Sequence, residues 1–202
     1  MRSILIDWRV LAVIEKLLKK HAKNFVSGEY REKGLEGIHF HENGSIYVMD
    51  AHKLLAIKRA HNISSRTIHY KTGKKMDVKF PDVVRISDVS YKESLTLNMR
   101  DLEPYLSLIE VASKISMVGT LEVERGEFLL RVTNENKESF KLYLGKVESD
   151  IKVDINVMYF YQVFCFFKDA KVDKVILSCG GPMRPVSFTA ENYEIIVMPV
   201  RR

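Results

Sequence analysis

The stretch Leu35–Ala60 reads "LEGIHFHENGSIYVMDAHKLLAIKRA" and contains three short apolar runs: Gly37–His41, Ser45–Met49 and Leu54–Lys58. Between the first two lies "HENGS", whose Asn43-Gly44 pair is a strong short-range hairpin signal, because Gly tolerates the positive φ that a two-residue turn requires. Three strands this close in sequence pair as an antiparallel meander. One face of such a meander is apolar and must be covered by another element.

Working outward, that cover lies just upstream. A strand over Ser3–Ile6 runs into Asp7, a good helix N-cap, and the spacing predicts a helix to about Lys23. Trp8, Leu11, Ile14, Leu17 and Leu18 recur at helical spacing and are expected to face the core. Arg9, Lys16, Lys20 and Lys23 fall within roughly a 60° arc at 100° per residue, with Lys19 beside them. The helix therefore has an apolar face and a basic stripe. Residues 24–34 form a polar connection. Downstream, strands at Thr67–Lys71 and Met76–Phe80 flank "TGKK", and "FPDVVRISDVS" (Phe80–Ser90) reads as an extended linker, since Pro81 cannot donate to a ladder.

Beyond the linker the pattern is regular. A strand at Ser94–Leu97 leads to Asn98 as N-cap and a helix to about Lys114, then strands at Thr120–Glu124, Glu127–Thr133 and Ser139–Leu144. It then restarts. A strand at Ile151–Ile155 leads to Asn156 as N-cap and a helix to about Lys168, then strands at Lys174–Ser178, Val186–Thr189 and Glu194–Val200. A strand, a helix and three strands thus occur twice, and residues 3–58 supply the unit a third time. The expected class is α+β, with three such units in two domains, 1–88 and 89–202.

Composition narrows the function. Of 202 residues, 46% are hydrophobic and 29% charged, which suits a folded domain with a real core. The net charge of +6 is uneven: residues 1–91 carry 17 Lys and Arg against 10 Asp and Glu, residues 92–202 carry 15 against 16. A basic surplus confined to one part points to a polyanion, nucleic acid first. No apolar run reaches the roughly 18 residues of a membrane span. Asp7 and Arg9 interrupt any leader-like start, and Cys165 and Cys179 form no disulfide framework. A cytoplasmic protein is expected.

Nothing in the chain matches a phosphate-cradling glycine loop, Gly-x-Ser-x-Gly or Cys-x-x-Cys, so neither catalysis nor a cofactor is expected. His39 and His41 alternate on one strand face, with His52 and His69 elsewhere. They are weighed as metal ligands and read instead as surface residues. "CGGPMRP" (Cys179–Pro185) is a turn between strands.

The Leu35–Ala60 stretch resembles the middle domain of the bacterial DNA polymerase III beta subunit, the sliding clamp. There, a Leu-x-Gly strand, a turn and a strand lead to Thr-Asp-Gly-His-Arg-Leu-Ala, and here the signature reads Met49-Asp50-Ala51-His52-Lys53-Leu54-Leu55-Ala56. "KFPDVVRI" (Lys79–Ile86) resembles the Phe-Pro-Asp segment leading into the clamp's last domain, and "IVMPVRR" (Ile196–Arg202) resembles the Val-Met-Pro-Met-Arg-Leu end of the family. The resemblance covers nearly the whole chain. It lacks the clamp's first domain and half of the middle one, as in a shortened form of phage or mobile-element type.

The resemblance implies a processivity factor that encircles duplex DNA without reading sequence and tethers DNA polymerase, clamp loader and other clamp-motif proteins. It implies an apolar peptide pocket of Leu35, Met49, Ala51, His52, Lys53 and Leu54 on one side, and of Ile196, Val197, Met198, Pro199, Val200 and Arg201 on the other. Met49 stands for Thr, Ala51 for Gly, and Asp88 near the family's pocket proline, so the groove and its preferred motif are expected to differ. The DNA-facing candidates are Arg9, Lys16, Lys19, Lys20 and Lys23, with Lys71, Lys74 and Lys75 (and Lys79 near them) as a second cluster. Clamp rings are built of twelve units, so three per chain imply a ring-shaped homo-oligomer, a tetramer favoured. The alternative is a clamp-like adaptor or decoy that binds the same peptides and forms no ring.

Overall fold

The computed structural model describes residues 8–27 and 33–201. They divide into two compact units, one running to Asp88 and including Asn192–Ile195, the other holding Val89–Glu191 and the residues from Ile196 on. The expected strand at Ser3–Ile6 and the Asp7 cap lie outside the described residues.

In the second unit, the repeat folds as two interlocked halves. The first is β6 (Glu93–Asn98), helices α3 (Met99–Leu102) and α4 (Leu106–Ile115), then β7 (Val118–Glu124), β8 (Glu127–Thr133) and β9 (Ser139–Lys146). The second is β10 (Lys152–Asn156), α5 (Val157–Ala170), then β11 (Lys174–Cys179) and β12 (Val186–Ala190), followed by β13 (Tyr193–Val197), whose residues to Ile195 group with the first unit. The halves exchange their leading strands: β10 pairs antiparallel with β7, and β6 with β11. Asn156 caps α5, its Oδ1 accepting from the Met158 and Tyr159 amides at 3.0 and 3.2 Å. From α5, Phe160, Phe164, Phe166 and Phe167 are fully buried, as is Phe188 of β12. Each such side chain contributes about 2–3 kcal/mol of burial, and this aromatic cluster is the centre of the unit.

Gly119 belongs to the same packing. A Cβ there would meet Leu130 Cδ1 and Val157 Cγ2, each at 2.8 Å. Two expectations are corrected here. The helix after Asn98 is not continuous to Lys114: Pro104 has no amide to donate, and Glu103–Tyr105 tightens into a 3-10 turn between α3 and α4. Asn98 makes no side-chain cap, its Nδ2 donating to Asp101 instead at 3.1 Å.

In the first unit, α1 (Trp8–His21) precedes β1 (Gly37–Phe40), β2 (Ile46–Met49) and β3 (Lys53–Ile57). Gly44 takes φ +81 in the β1–β2 turn, as the Asn-Gly pair requires, and Ser45 N donates to Asn43 Oδ1 at 2.9 Å. Ile14, Leu17 and Leu18 of α1 are buried, but Leu11 is 43% exposed, against expectation. α1 stops at His21, so Lys23 lies in a 3-10 turn, off the helical stripe.

The hairpin β4 (Arg66–His69) and β5 (Lys75–Met76) follows, shorter than expected. β4 pairs antiparallel with β1, placing Gly37 opposite His69. A Cβ on Gly37 would come within 2.3 Å of Thr67 Cγ2, which is why glycine stands there. The segment read as an extended linker instead contains a helix, α2 (Val83–Ser87), whose N-cap Asp82 accepts from the Arg85 amide at 3.2 Å. Pro81 precedes that cap and therefore does not oppose the helix.

β4 occupies on β1 the place that β10 takes on β7 and β6 takes on β11. In the second unit that strand comes from the other half and leads into its helix. Here it leads into β5, and α1 is the long helix described in its unit.

Candidate functional site

The clamp-like signature is built as a closed turn. Asp50 ends β2, and its Oδ1 accepts from the amides of His52 and Lys53, both at 2.7 Å, while its own amide donates to the Lys53 carbonyl at 3.0 Å. This is an Asx turn, which needs a side-chain oxygen at the reach of Asp or Asn at that position. It leaves Ala51 and His52 exposed at the tip, with Met49 and Leu54 buried beside it. Leu35 is buried in a 3-10 turn, and its carbonyl accepts from the Ser27 amide at 3.0 Å.

Lys53 points inward. It is 6% exposed, its ammonium donates to the Asn24 carbonyl, lies 3.5 Å from Asp50 Oδ2, and sits 5.7 Å from the Phe25 ring centroid. Burial pushes its pKa down, and Asp50 pulls it back up. This lysine ties the chain after α1 to β3. Asn24 and Phe25 had passed as part of a polar connection, and only the buried position of Phe25 gives them a role.

The C-terminal run has two parts. Ile196 and Val197 end β13 and are buried. The strand expected to reach Val200 stops at Val197, and Met198 is 39% exposed. Pro199 and Val200 are half-buried and Arg201 is exposed. The Val200 amide donates to the Asp154 carbonyl at 2.9 Å, and Asp154 Oδ1 accepts from Thr120 Oγ1 at 2.5 Å. Sequence reasoning missed this anchor. Its signal was the polar pair Thr120 and Asp154, which the β7–β10 register sets face to face. Val200 also lines a cleft of about 640 Å³ with Lys92, Asp154, Cys179 and Met183. Asp88 lines another, of about 540 Å³, with Tyr47, Lys58 and Glu194.

Lys16, Lys19, Lys20 and Lys23 are exposed. Lys19 pairs with Glu15 at 2.6 Å. Arg9 lies in the first turn of α1, and its side chain is outside the described residues. Lys71, Lys74 and Lys75 are exposed around the β4–β5 turn, where the His69 amide donates to the Lys74 carbonyl at 2.9 Å and Lys71 Nζ lies 5.5 Å from the Tyr70 ring. The outward residues of α4 are different: Leu108, Val111 and Ile115 are 50%, 52% and 42% exposed.

The histidines have structural partners. His39 shares a 2.9 Å hydrogen bond with Thr67 Oγ1 and stacks on Phe80 at 4.5 Å, and His69 lies 3.9 Å from Glu36. No cluster of three or more metal-ligating side chains occurs among the described residues. No helix among them is long and apolar enough to cross a membrane.

Interlocked strand-helix-three-strand halves define the sliding-clamp fold, and the chain has it. Three solved structures carry the comparison. The DNA polymerase III beta chain of Streptococcus pneumoniae matches 95% of this chain with 63% of its own, at TM-score 0.78 and 15% identity. The DNA polymerase III subunit beta of Pseudomonas aeruginosa matches 96% with 65% of its own, at 0.79 and 14%. The sliding clamp of Bartonella birtlesii bound to griselimycin matches 95% with 65% of its own, at 0.77 and 18%. The chain thus spans less than two thirds of the clamps it matches. No family model matches the chain, and no curated protein does.

Proposed function

We propose that this chain is a shortened sliding clamp, one that encircles duplex DNA as a ring-shaped homo-oligomer and tethers replication proteins through a peptide groove. The observation that carries this reading is the extent of the likeness: a structural match to a DNA polymerase III beta chain over 95% of the chain. Residues to 88 act as half of a clamp middle domain and residues from 89 as a complete last domain. Tethering needs no catalytic group, and the chain is not an enzyme.

The peptide-binding residues are Leu35, Met49, Ala51, His52 and Leu54 of the first unit, with Lys53 supporting them from within, and Ile196–Arg201 of the second. Their apolar methionines adapt to several ligands, and a concave apolar site with few polar groups anchors a short peptide. The Lys16, Lys20 and Lys23 ammoniums contact phosphates without reading bases, which leaves sliding unhindered.

Retention on topologically closed DNA tests the ring. The protein is expected to stay on a nicked circular plasmid through a high-salt wash and to slip off when the plasmid is cut once. Equal loss from both forms would replace the ring with the adaptor reading. One observation favours that alternative, the exposed Leu108, Val111 and Ile115 of α4, since a phosphate-facing helix has no use for an apolar stripe.

A further inference from the structure

In the second unit two long helices, α4 and α5, lie side by side, bridged by the Tyr161 hydroxyl donating to Glu110 Oε2 at 3.1 Å. In the first unit, β4 takes the place of the exchanged strand but leads into β5 rather than directly into a helix, and beside α1 there is an open groove of about 580 Å³. Its floor is the sheet face with Ile38, Phe40 and Ile68, and its wall is one flank of α1. That flank is Leu11, Ile14 and Leu18, spaced three and four residues apart, with Glu15 and Lys19 along one side. A stripe at this spacing is a helix-packing face. Leu11 at 43% exposure and Ile63 at 38% on the opposite rim are the groove's uncovered apolar residues.

We propose that this groove is covered by α1 of a second copy of the chain, the two helices antiparallel about a two-fold axis. Two observations select this occupant. The chain covers its other half-unit with a second helix, and a two-fold pair of first units reproduces that arrangement from identical parts. The rim charges are also self-complementary. Glu15 and Lys19 lie four residues apart on the same side of the stripe, so in an antiparallel pair each Glu15 comes beside the partner's Lys19. An isologous contact requires a patch complementary to itself in this way. The exposed Glu15–Lys19 pair within one helix opens into a four-charge set across two. The contact does not depend on the clamp reading: it closes a half-built unit whatever the assembly binds.

Light scattering on the full chain and on three variants tests it. Leu11→Asp puts a charge on the apolar stripe at a residue already exposed in one chain, so the fold should survive, and circular dichroism checks that. The particle mass is expected to fall to half. Glu15→Lys and Lys19→Glu each place like charges across the axis, and each is expected to weaken association about tenfold or more. Mixing these two variants restores complementarity between unlike copies, and association is expected to return. Helix stability within one chain cannot produce that recovery. A wild-type particle of a single chain, an unchanged mass for Leu11→Asp, or a mixture no tighter than its components would each overturn the proposal. A wild-type particle of a single chain would overturn the ring as well, whereas an unchanged mass for Leu11→Asp or a mixture no tighter than its components would overturn the α1 contact alone, so the two readings stay distinguishable.

Discussion

His39 shows how much a single residue depends on its surroundings. It is half-buried between Phe80 and Thr67, with the His41 ring 5.7 Å away. Burial lowers its pKa from 6.5, and the neighbouring His41 and His61 lower it further. The unfolded chain therefore binds a proton near pH 6.5 that the native state refuses. Stability from this group is complete above 6.5 and is lost as pH falls toward the lower folded value. His39→Gln is expected to flatten the fall in urea midpoint below pH 6.5, and parallel curves for the two proteins would assign the acid sensitivity elsewhere. The alternation of His39 and His41 was legible in the sequence. Their partners were not, because Phe80 and Thr67 are far away along the chain.

At the scale of elements, α1 combines several tasks that one helical pattern compressed. Its buried side holds Ile14, Leu17 and Leu18, its outward side Lys16 and Lys20, and Leu11 stands between. Periodicity assigned Leu11 to the core because it reports a face of the helix and not whether a neighbour covers it. Lys16→Glu with Lys20→Glu and Lys23→Glu is expected to reduce DNA retention by more than tenfold at moderate salt, since three phosphate contacts are replaced by repulsion. A filter-binding titration at several salt concentrations checks this, and an unchanged salt slope would move the DNA path off α1. Two other elements escaped the sequence reading for local reasons: Pro104 shortened a helix, and Asp82 started one behind Pro81.

For the molecule as a whole, the C-terminal segment is the sharpest test. Val197 is fully buried in β13, so a truncation that spares the fold begins at Met198. Removing Met198–Arg202 costs the Val200–Asp154 hydrogen bond, about 1 kcal/mol. It should leave the melting transition within a few degrees. Binding of clamp-motif peptides is expected to disappear, and fluorescence anisotropy with a labelled peptide reads it. Full affinity in the truncated protein would remove this segment from the groove.

Sequence alone settled the class and the repeat. Asn43-Gly44, Asn156 and the alternating apolar runs act through neighbours a few residues away, and such local effects survive in a linear reading. The tertiary structure decided what depends on distant pairing. It put β4 on β1 in the place of an exchanged strand, turned Lys53 inward to the Asn24 carbonyl, and pinned Val200 to Asp154. Strand register and burial of a charge are properties of surfaces brought together from far along the chain. A one-dimensional pattern carries the residues for such surfaces but not their meeting.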